Sequence, residues 1–318
     1  MSLNLHHVRI FAAIVEHGGF TKAAQILRLS QPAVSKSLNE LERQLHVTLL
    51  DRSGKSVALT EAGRTLYARA GELFGVERAA ERELRELRGL KRGVLRVAAS
   101  TTIATYLLPP YLGRFHTRHP NVRIRTTSAN TRAVLRALLE FRADVALVEG
   151  PIEHPRVQVV PWREDELVVI AAPDHPMVAI QPVDVKRLAD EQFLVREPGS
   201  GTRVVTQRAL AAHGLRLART IRVGGTEAIK QAVAAGLGLG IVSRAAATDQ
   251  LALGRIVVVD VRELEIRRTL AQIKLRDRPT TIAGRELETL LAAPLDVLGH
   301  ADASADATGS AEPSPSLR

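Results

Sequence analysis

Gln31, Ser35 and Asn39 follow one another at intervals of four residues, with Lys36 beside them. On a helix that spacing puts them along one face. They are short or amphipathic hydrogen-bonding groups, the types that meet base edges and phosphates in a major groove. Val34, Leu38, Leu41 and Leu45 recur at spacings of four, three and four on the other side, which makes one buried stripe. Ser30 is placed to cap this helix, and Pro32 falls in its first turn, where a missing N–H costs little.

A second set of groups suits a small ligand. Ser100-Thr101-Thr102, Glu197-Pro198-Gly199-Ser200-Gly201-Thr202-Arg203 and Gly224-Gly225-Thr226 each stand where an expected strand gives way to an expected helix. In open α/β sheets ligands bind outside the C-terminal ends of strands. Hydroxyls and unpaired helix-start N–H groups there favour an anion or a carboxylate. Thr102 and Thr202, one in each half of the region, are expected at two helix starts that a ligand could bridge. Serine and threonine are also ordinary N-caps and glycine-rich turns ordinary connectors, so each stretch alone has a purely structural reading. Gly236-Leu237-Gly238-Leu239-Gly240 follows a helix and precedes a strand, the reverse of a dinucleotide loop, and reads as a connection.

The elements that must position the first set lie around it. Residues 20–28 form a preceding helix with a small apolar face of Ala23, Ala24 and Leu27, capped by Thr21 and carrying Lys22 and Arg28. Leu29 and Ser30 make the turn. Residues 5–14 form an earlier helix with Val8 and Phe11 on one side. In residues 49–60 two β-prone runs flank Ser53-Gly54-Lys55, a small wing whose Arg52 and Lys55 can reach a phosphate backbone. A plain helical pair with a solvated polar face would share the pattern but would not need the wing.

Thr60 opens a helix expected to run to about residue 90. Leu66, Leu73, Ala80 and Leu87 repeat every seven residues, with Ala70 and Leu84 on the adjoining seam, Glu77 interrupting it and charges around it. Gly89 and Gly93 around Lys91-Arg92 read as a hinge. Beyond it, short strands and helices alternate to about residue 291, which implies α/β packing with mostly parallel sheets. Helices are expected over 102–117, 131–142, 203–213, 226–235 and 282–291, and strands include 167–172, 256–261 and 269–275. Residues 299–318 are poor in large apolar side chains and read as a disordered tail.

The 318 residues carry 44 Lys and Arg against 34 Asp and Glu, a formal net charge of +10, and no cysteine. Disulfides, thiolate metal sites and cysteine nucleophiles are excluded. The charge favours a polyanionic partner, although the placement of Lys22, Arg28, Lys36, Arg52 and Lys55 says more than the total. No signal segment or membrane-length apolar run is read, so a soluble cytoplasmic protein is expected. The histidines show no ligand spacing and no GxSxG is present, which gives the alternative of an α/β enzyme or a transport-type binding protein nothing to work with.

The run FTKAAQILRLSQPAVSKSLNELE, followed by LLDRSGKSVALTEAG, resembles the LysR-type transcriptional regulators of bacteria. The resemblance implies an α/β multidomain chain. Its parts would be a winged helix-turn-helix (1–60), a linker and dimerisation helix with hinge (61–92), and an effector domain like a periplasmic binding protein (93–298). Lobe I would take about 93–162 and 268–298 and lobe II about 163–267, with the second crossing near 262–268. It implies double-stranded DNA as partner through Thr21, Lys22, Ser30, Gln31, Pro32, Ser35, Lys36, Arg52 and Lys55. A small-molecule effector of unknown identity would bind at Ser100, Thr101, Thr102, Asn130, Glu149, Ser200, Gly201, Thr202 and Thr226. No cofactor, metal or membrane role follows, a homodimer or homotetramer does, and RNA polymerase is a further partner such regulators can meet. FLVREPGSGTR is similar to members that sense metabolites of carbon fixation or of sulfur and nitrogen assimilation. Glu149 would repel an anion there unless paired with Arg203 or Arg132.

Overall fold

A computed structural model describes residues 3–51, 57–86 and 93–293. The wing residues Arg52 and Lys55, the hinge glycine Gly89, Leu87 of the seam and the tail lie outside the described residues.

Three helices begin the chain: α1 (Leu5–Glu16), α2 (Phe20–Leu27) and α3 (Gln31–Leu45). Val8, Phe11 and Ile14 of α1 close on Ala23 and Ala24 of α2 and on Val34, Leu38 and Leu41 of α3. Each large side chain so buried contributes about 1.5–3 kcal/mol relative to exposure. The small face of α2 lets α1 and α3 approach it. Ser30 Oγ accepts from Ala33 N at 3.3 Å, as the spacing requires. Thr21 does not cap α2: Gly19 holds the N-cap position with no side-chain bond, and Thr21 is already inside the helix. The strand pair β1 (Leu50–Asp51) and β2 (Ala58–Leu59) forms the base of the wing.

The helix α4 (Glu61–Glu86) starts as expected, with Thr60 Oγ1 accepting from Gly63 N at 3.0 Å. Its faces differ from the heptad reading. Ala70, together with Phe74, is buried in the three-helix core, and Glu77 pairs with Arg9 of α1 at 2.6 Å rather than lying in an outward seam. Leu73, Val76 and Leu84 are its exposed large apolar residues, and with the exposed Ala80 they recur at helical spacing. Heptad spacing alone could not say which of two apolar faces meets its own domain.

The rest is one mixed sheet in the order β4-β3-β5-β11-β6-β9-β7-β8, with β10 on β6. β3 (Gly93–Ser100), β4 (Val122–Ala129) and β5 (Val145–Glu149) are parallel and form one lobe with α5 (Pro109–Arg118), α6 (Thr131–Leu139) and α10 (Ile282–Ala292). β7 (Gln192–Val195), β8 (Arg219–Arg222), β9 (Leu239–Ser243) and β10 (Val257–Val258) form the other, with α7 (Gly201–Ala212), α8 (Thr226–Ala234) and α9 (Arg244–Ala252). Two long antiparallel strands, β6 (Val157–Ala171) and β11 (Ile266–Leu275), run through both lobes, and the whole of β11 pairs with residues 157–167 of β6. The register slips between Leu270 and Ala271, which leaves Trp162 out of the ladder with its Nε1 donating to Leu291 O at 2.9 Å.

Several expectations change. The helix over 102–117 is a π-helical turn (Ile103–Leu107) followed by α5, because Pro109 supplies no N–H to continue the first segment and starts the second. The strand expected over 167–172 begins ten residues earlier, and that over 256–261 shrinks to β10. The second crossing is β11 itself, of which only residues 266–268 fall in the expected stretch. α9 is an addition. The Gly236–Gly240 stretch joins α8 to β9, as its order requires.

The lobe holding β3 also touches α4. The turn after α6 sits on Gly75, where an added Cβ would be 2.7 Å from Phe141 Cδ2 and 2.8 Å from Glu140 C, and Arg78 Nη2 donates to Glu140 O at 3.3 Å. Only glycine admits that approach.

Candidate nucleic-acid interface and effector cleft

The outer face of the N-terminal unit follows from which sides are buried. With Val34, Leu38 and Leu41 inside, Gln31, Pro32, Lys36 and Asn39 are exposed and Ser35 is half-buried. Thr21, Lys22, Arg28 and Ser30 are exposed beside them. α3 therefore offers a polar face that α1 does not obstruct. The wing is tied to the same helix, since Glu42 Oε1 accepts from Leu49 N at 2.7 Å and from Leu50 N at 3.3 Å. Thr60 Oγ1 donates to Thr48 O at 2.7 Å and clamps the other side.

The second site is built where β3, β4, β5 and β7 end together. Ser100 closes β3 and is fully buried, its Oγ without a hydrogen-bond partner. Thr102 Oγ1 donates to Glu149 Oε1 and bonds Thr226 Oγ1, both at 3.3 Å, the second contact crossing between lobes. Asn130 caps α6 through Ala133 N at 3.0 Å, and Thr131 Oγ1 donates to the Glu149 carbonyl at 2.8 Å. Ser200, not Thr202, caps α7. Gly201 lies against Glu149 so closely that an added Cβ would be 2.5 Å from the Glu149 carbonyl carbon.

All nine expected effector residues therefore lie where the two lobes meet, most of them buried, but their partnerships differ from expectation. Glu149 is neutralised by neither Arg203 nor Arg132. Its partner is Arg268 on β11, at 2.7 Å, with side chains 1% and 2% exposed. Arg268 also donates to Asp165 Oδ2 of β6 at 2.7 Å and to Thr202 Oγ1 at 2.9 Å, and Ser243 Oγ donates to Asp165 Oδ1 at 2.6 Å. Thr202 thus holds the crossing strand instead of facing Thr102. Arg203 Nη1 donates to Arg196 O at 3.0 Å, and Arg132 N to Gly199 O at 3.2 Å. Sequence reasoning missed Arg196, Asp165, Ser243 and Arg268. Asp165 and Arg268 stand in charged runs that look like solvated surface, and only the crossing strands bring them inside.

A second contact between lobes lies at the cleft edge. Tyr106 Oη donates to Glu227 Oε2 at 2.6 Å, and the buried Lys230 ammonium sits 2.8 Å from Glu227 Oε2 and 4.7 Å from the Tyr106 ring centroid. Burial, then the bond to Glu227, raises the Tyr106 phenol well above its ordinary value, so it remains a donor. Burial pushes Glu227 up, but bonds from Lys230, Tyr106 and Gln231 outweigh it and hold the carboxyl at about 2. A cavity of about 420 Å³ lies between α7 and the sheet, with Arg196 and Thr202 in its wall together with Phe193, Leu210, Leu215 and Ile241.

Two family profiles account for these two units. Residues 5–64 match the bacterial regulatory helix-turn-helix protein, lysR family, and residues 88–294 match the LysR substrate binding domain. The chain belongs to the LysR family of transcriptional regulators. It is 39% identical over 278 residues to the HTH-type transcriptional regulator YeiE of Escherichia coli strain K12, covering 87% of this chain and 93% of YeiE. It is 35% identical over 268 residues to the RuBisCO operon transcriptional regulator of Allochromatium vinosum, covering 84% of this chain and 88% of that one. The solved regulatory domain of Synechocystis PCC6803 CcmR, in complex with 2-PG, aligns with a TM-score of 0.59 at 29% identity, over 63% of this chain and 96% of that domain. As a LysR-type regulator the chain is a DNA-binding protein controlled by a small molecule, and not an enzyme. Among the described residues no helix is long and apolar enough to cross a membrane.

Proposed function

We propose that this regulator reads its operator with Gln31, Ser35 and Lys36 on base edges, while Thr21, Lys22, Ser30, Arg52 and Lys55 hold phosphates and Pro32 makes an apolar contact on the same face. It does so in the cytoplasm, as a homodimer or homotetramer. The effector is a small anionic metabolite bound between the lobes among Ser100, Thr101, Thr102, Asn130, Ser200, Gly201, Thr202 and Thr226, beside a Glu149 whose charge is taken up by Arg268. The observation that carries the ligand class is the convergence of helix starts and hydroxyls on a cleft that contains Arg196, with Glu149 already paired to Arg268. Glu149 therefore does not oppose an anion. The 2-PG-bound regulatory domain of CcmR favours the same class.

The test of the DNA reading is a binding titration of the full chain on its own upstream DNA against a random duplex. Gln31→Ala is expected to relax preference at one base pair per half-site, a loss of about 1–3 kcal/mol there. An unchanged base preference would remove Gln31 from the readout.

Assembly has its own test. Leu73 and Leu84 are 38% and 67% exposed on one side of α4. Replacing both with lysine puts like charges into that seam, so the subunits should separate and operator affinity should fall about tenfold or more, since one half-site keeps only part of the contacts. Sedimentation showing the original oligomer would exclude this seam.

A further inference from the structure

The two buried arginines of the cleft differ in one respect. Arg268 is held by Glu149 and Asp165, whose side chains are 1% and 5% exposed, so neither carboxylate can turn out to water. Arg196 is itself 3% exposed, but its carboxylate partner is its own neighbour Glu197, whose side chain is 28% exposed. Arg196 Nε donates to Glu197 Oε2 at 2.9 Å and Nη2 to Oε1 at 3.0 Å. Two parallel N–H···O bonds between planar groups are the geometry by which arginine takes a carboxylate or phosphate ligand. The remaining hydrogen bonds of the Arg196 guanidinium go to hydroxyls, Thr226 Oγ1 at 3.1 Å and Thr101 Oγ1 at 3.4 Å, one from each lobe.

We propose that Glu197 is a built-in surrogate for the effector's anionic group, filling the Arg196 fork until a small carboxylate- or phosphate-bearing ligand displaces it. This rests on reading the cleft as the effector site. The exchange conserves the charge-assisted bonds to Arg196, and the released Glu197 regains hydration at its exposed edge. The fork is never left as a buried unpaired charge, which would be strongly destabilising. Thr101 and Thr226, as hydroxyls, can turn to donate to the ligand's other oxygens.

Two further observations fit. Burial raises the Glu197 carboxyl, but bonds from Arg196, its own backbone and Asn130 bring it below its ordinary value. It is therefore an anion at neutral pH, as a competitor must be. The same guanidinium reaches Thr101 of the other lobe, so what fills the fork also bears on a contact between lobes. The surrogate also sets a threshold, because apparent affinity is the intrinsic affinity scaled by the fraction of molecules in which the fork is open.

The test uses the full chain and two simple probes, inorganic phosphate and oxalate, titrated by calorimetry at constant ionic strength. Glu197→Gln keeps the shape and removes the competing charge, and it should bind at least one probe about tenfold more tightly than the parent. Glu197→Asp, whose shorter arm cannot span the fork, should fall between the two and serves if the glutamine variant misfolds. Combining Glu197→Gln with Arg196→Lys should abolish the gain, since the ammonium offers no fork. A phosphate and oxalate affinity within twofold of the parent in both single variants, or a gain that survives Arg196→Lys, overturns the proposal. The operator titration on the same preparations separates this from the functional reading. Intact operator binding with unchanged anion affinity removes only the surrogate, whereas a parent protein without sequence preference removes the regulator reading itself.

Discussion

Arg268→Ala should lower the unfolding free energy by about 3–5 kcal/mol, the usual cost of removing one partner from a buried ion pair. The guanidinium is the counter-ion of Glu149 and Asp165, and it donates to Thr202. Its removal leaves two carboxylates inside, without a cation and away from water. The expected loss is mostly that penalty, which gives the test its discriminating arm. Adding Glu149→Gln and Asp165→Asn to Arg268→Met removes the orphaned charges and should recover at least half of the deficit. Urea unfolding checks both. A deficit under about 1 kcal/mol would mean that the cluster is hydrated in solution.

How much of this was legible in the sequence depends on the range of the interaction. The N-terminal unit was legible because its signals are local. Ser30 and Thr60 cap helices that begin within three residues of them, and the buried stripe of α3 is written in adjacent turns. The faces of α4 were not. Ala70 and Leu73 are three residues apart and both apolar, yet one is buried in the three-helix core and the other is outside. Only the position of α1, with Arg9 reaching Glu77, decides between them. The long strand β6 was hidden by its first two thirds, VQVVPWREDE, where proline and four charges mask the alternation. Its strand character comes from pairing with β11, a hundred residues later, and so does the burial of Asp165. α9, with the composition RAAATDQLA, has almost no apolar stripe and is a helix through its docking on β6 and β9 rather than its pattern. The cleft lay between these cases. Its hydroxyl-bearing helix starts could be located, but the partners joining them, Arg268 above all, are distant in the chain and look like surface charges.

Gly201→Ala should act on the closure of the lobes and leave the DNA-binding unit alone. Gly201 is the first residue of α7, and its Cα faces Gly150 and the Glu149 carbonyl across the lobe boundary. An added Cβ would be 2.5 Å from the Glu149 carbonyl carbon and 2.7 Å from Thr131 Oγ1. Neither neighbour can yield easily, because the carbonyl belongs to β5 and already accepts from Thr131 Oγ1 at 2.8 Å. Backbone faces backbone here, so no flexible side chain absorbs the overlap. The methyl group must therefore push α7 away from β5, at a cost of about 1–3 kcal/mol for overpacking, or more if the helix start unravels. Either outcome strains the contacts that hold the lobes together, Thr102 to Thr226 at 3.3 Å and Tyr106 to Glu227 at 2.6 Å. Amide hydrogen exchange should rise at the first turns of α7 and α8 and around Tyr106, while α1 to α3 keep their protection. Gly201→Ser should behave alike, since the overlap comes from Cβ and not from polarity. Unchanged exchange across both lobes, together with an unfolding free energy within about 0.5 kcal/mol of the parent, would mean that this backbone approach is not made in solution.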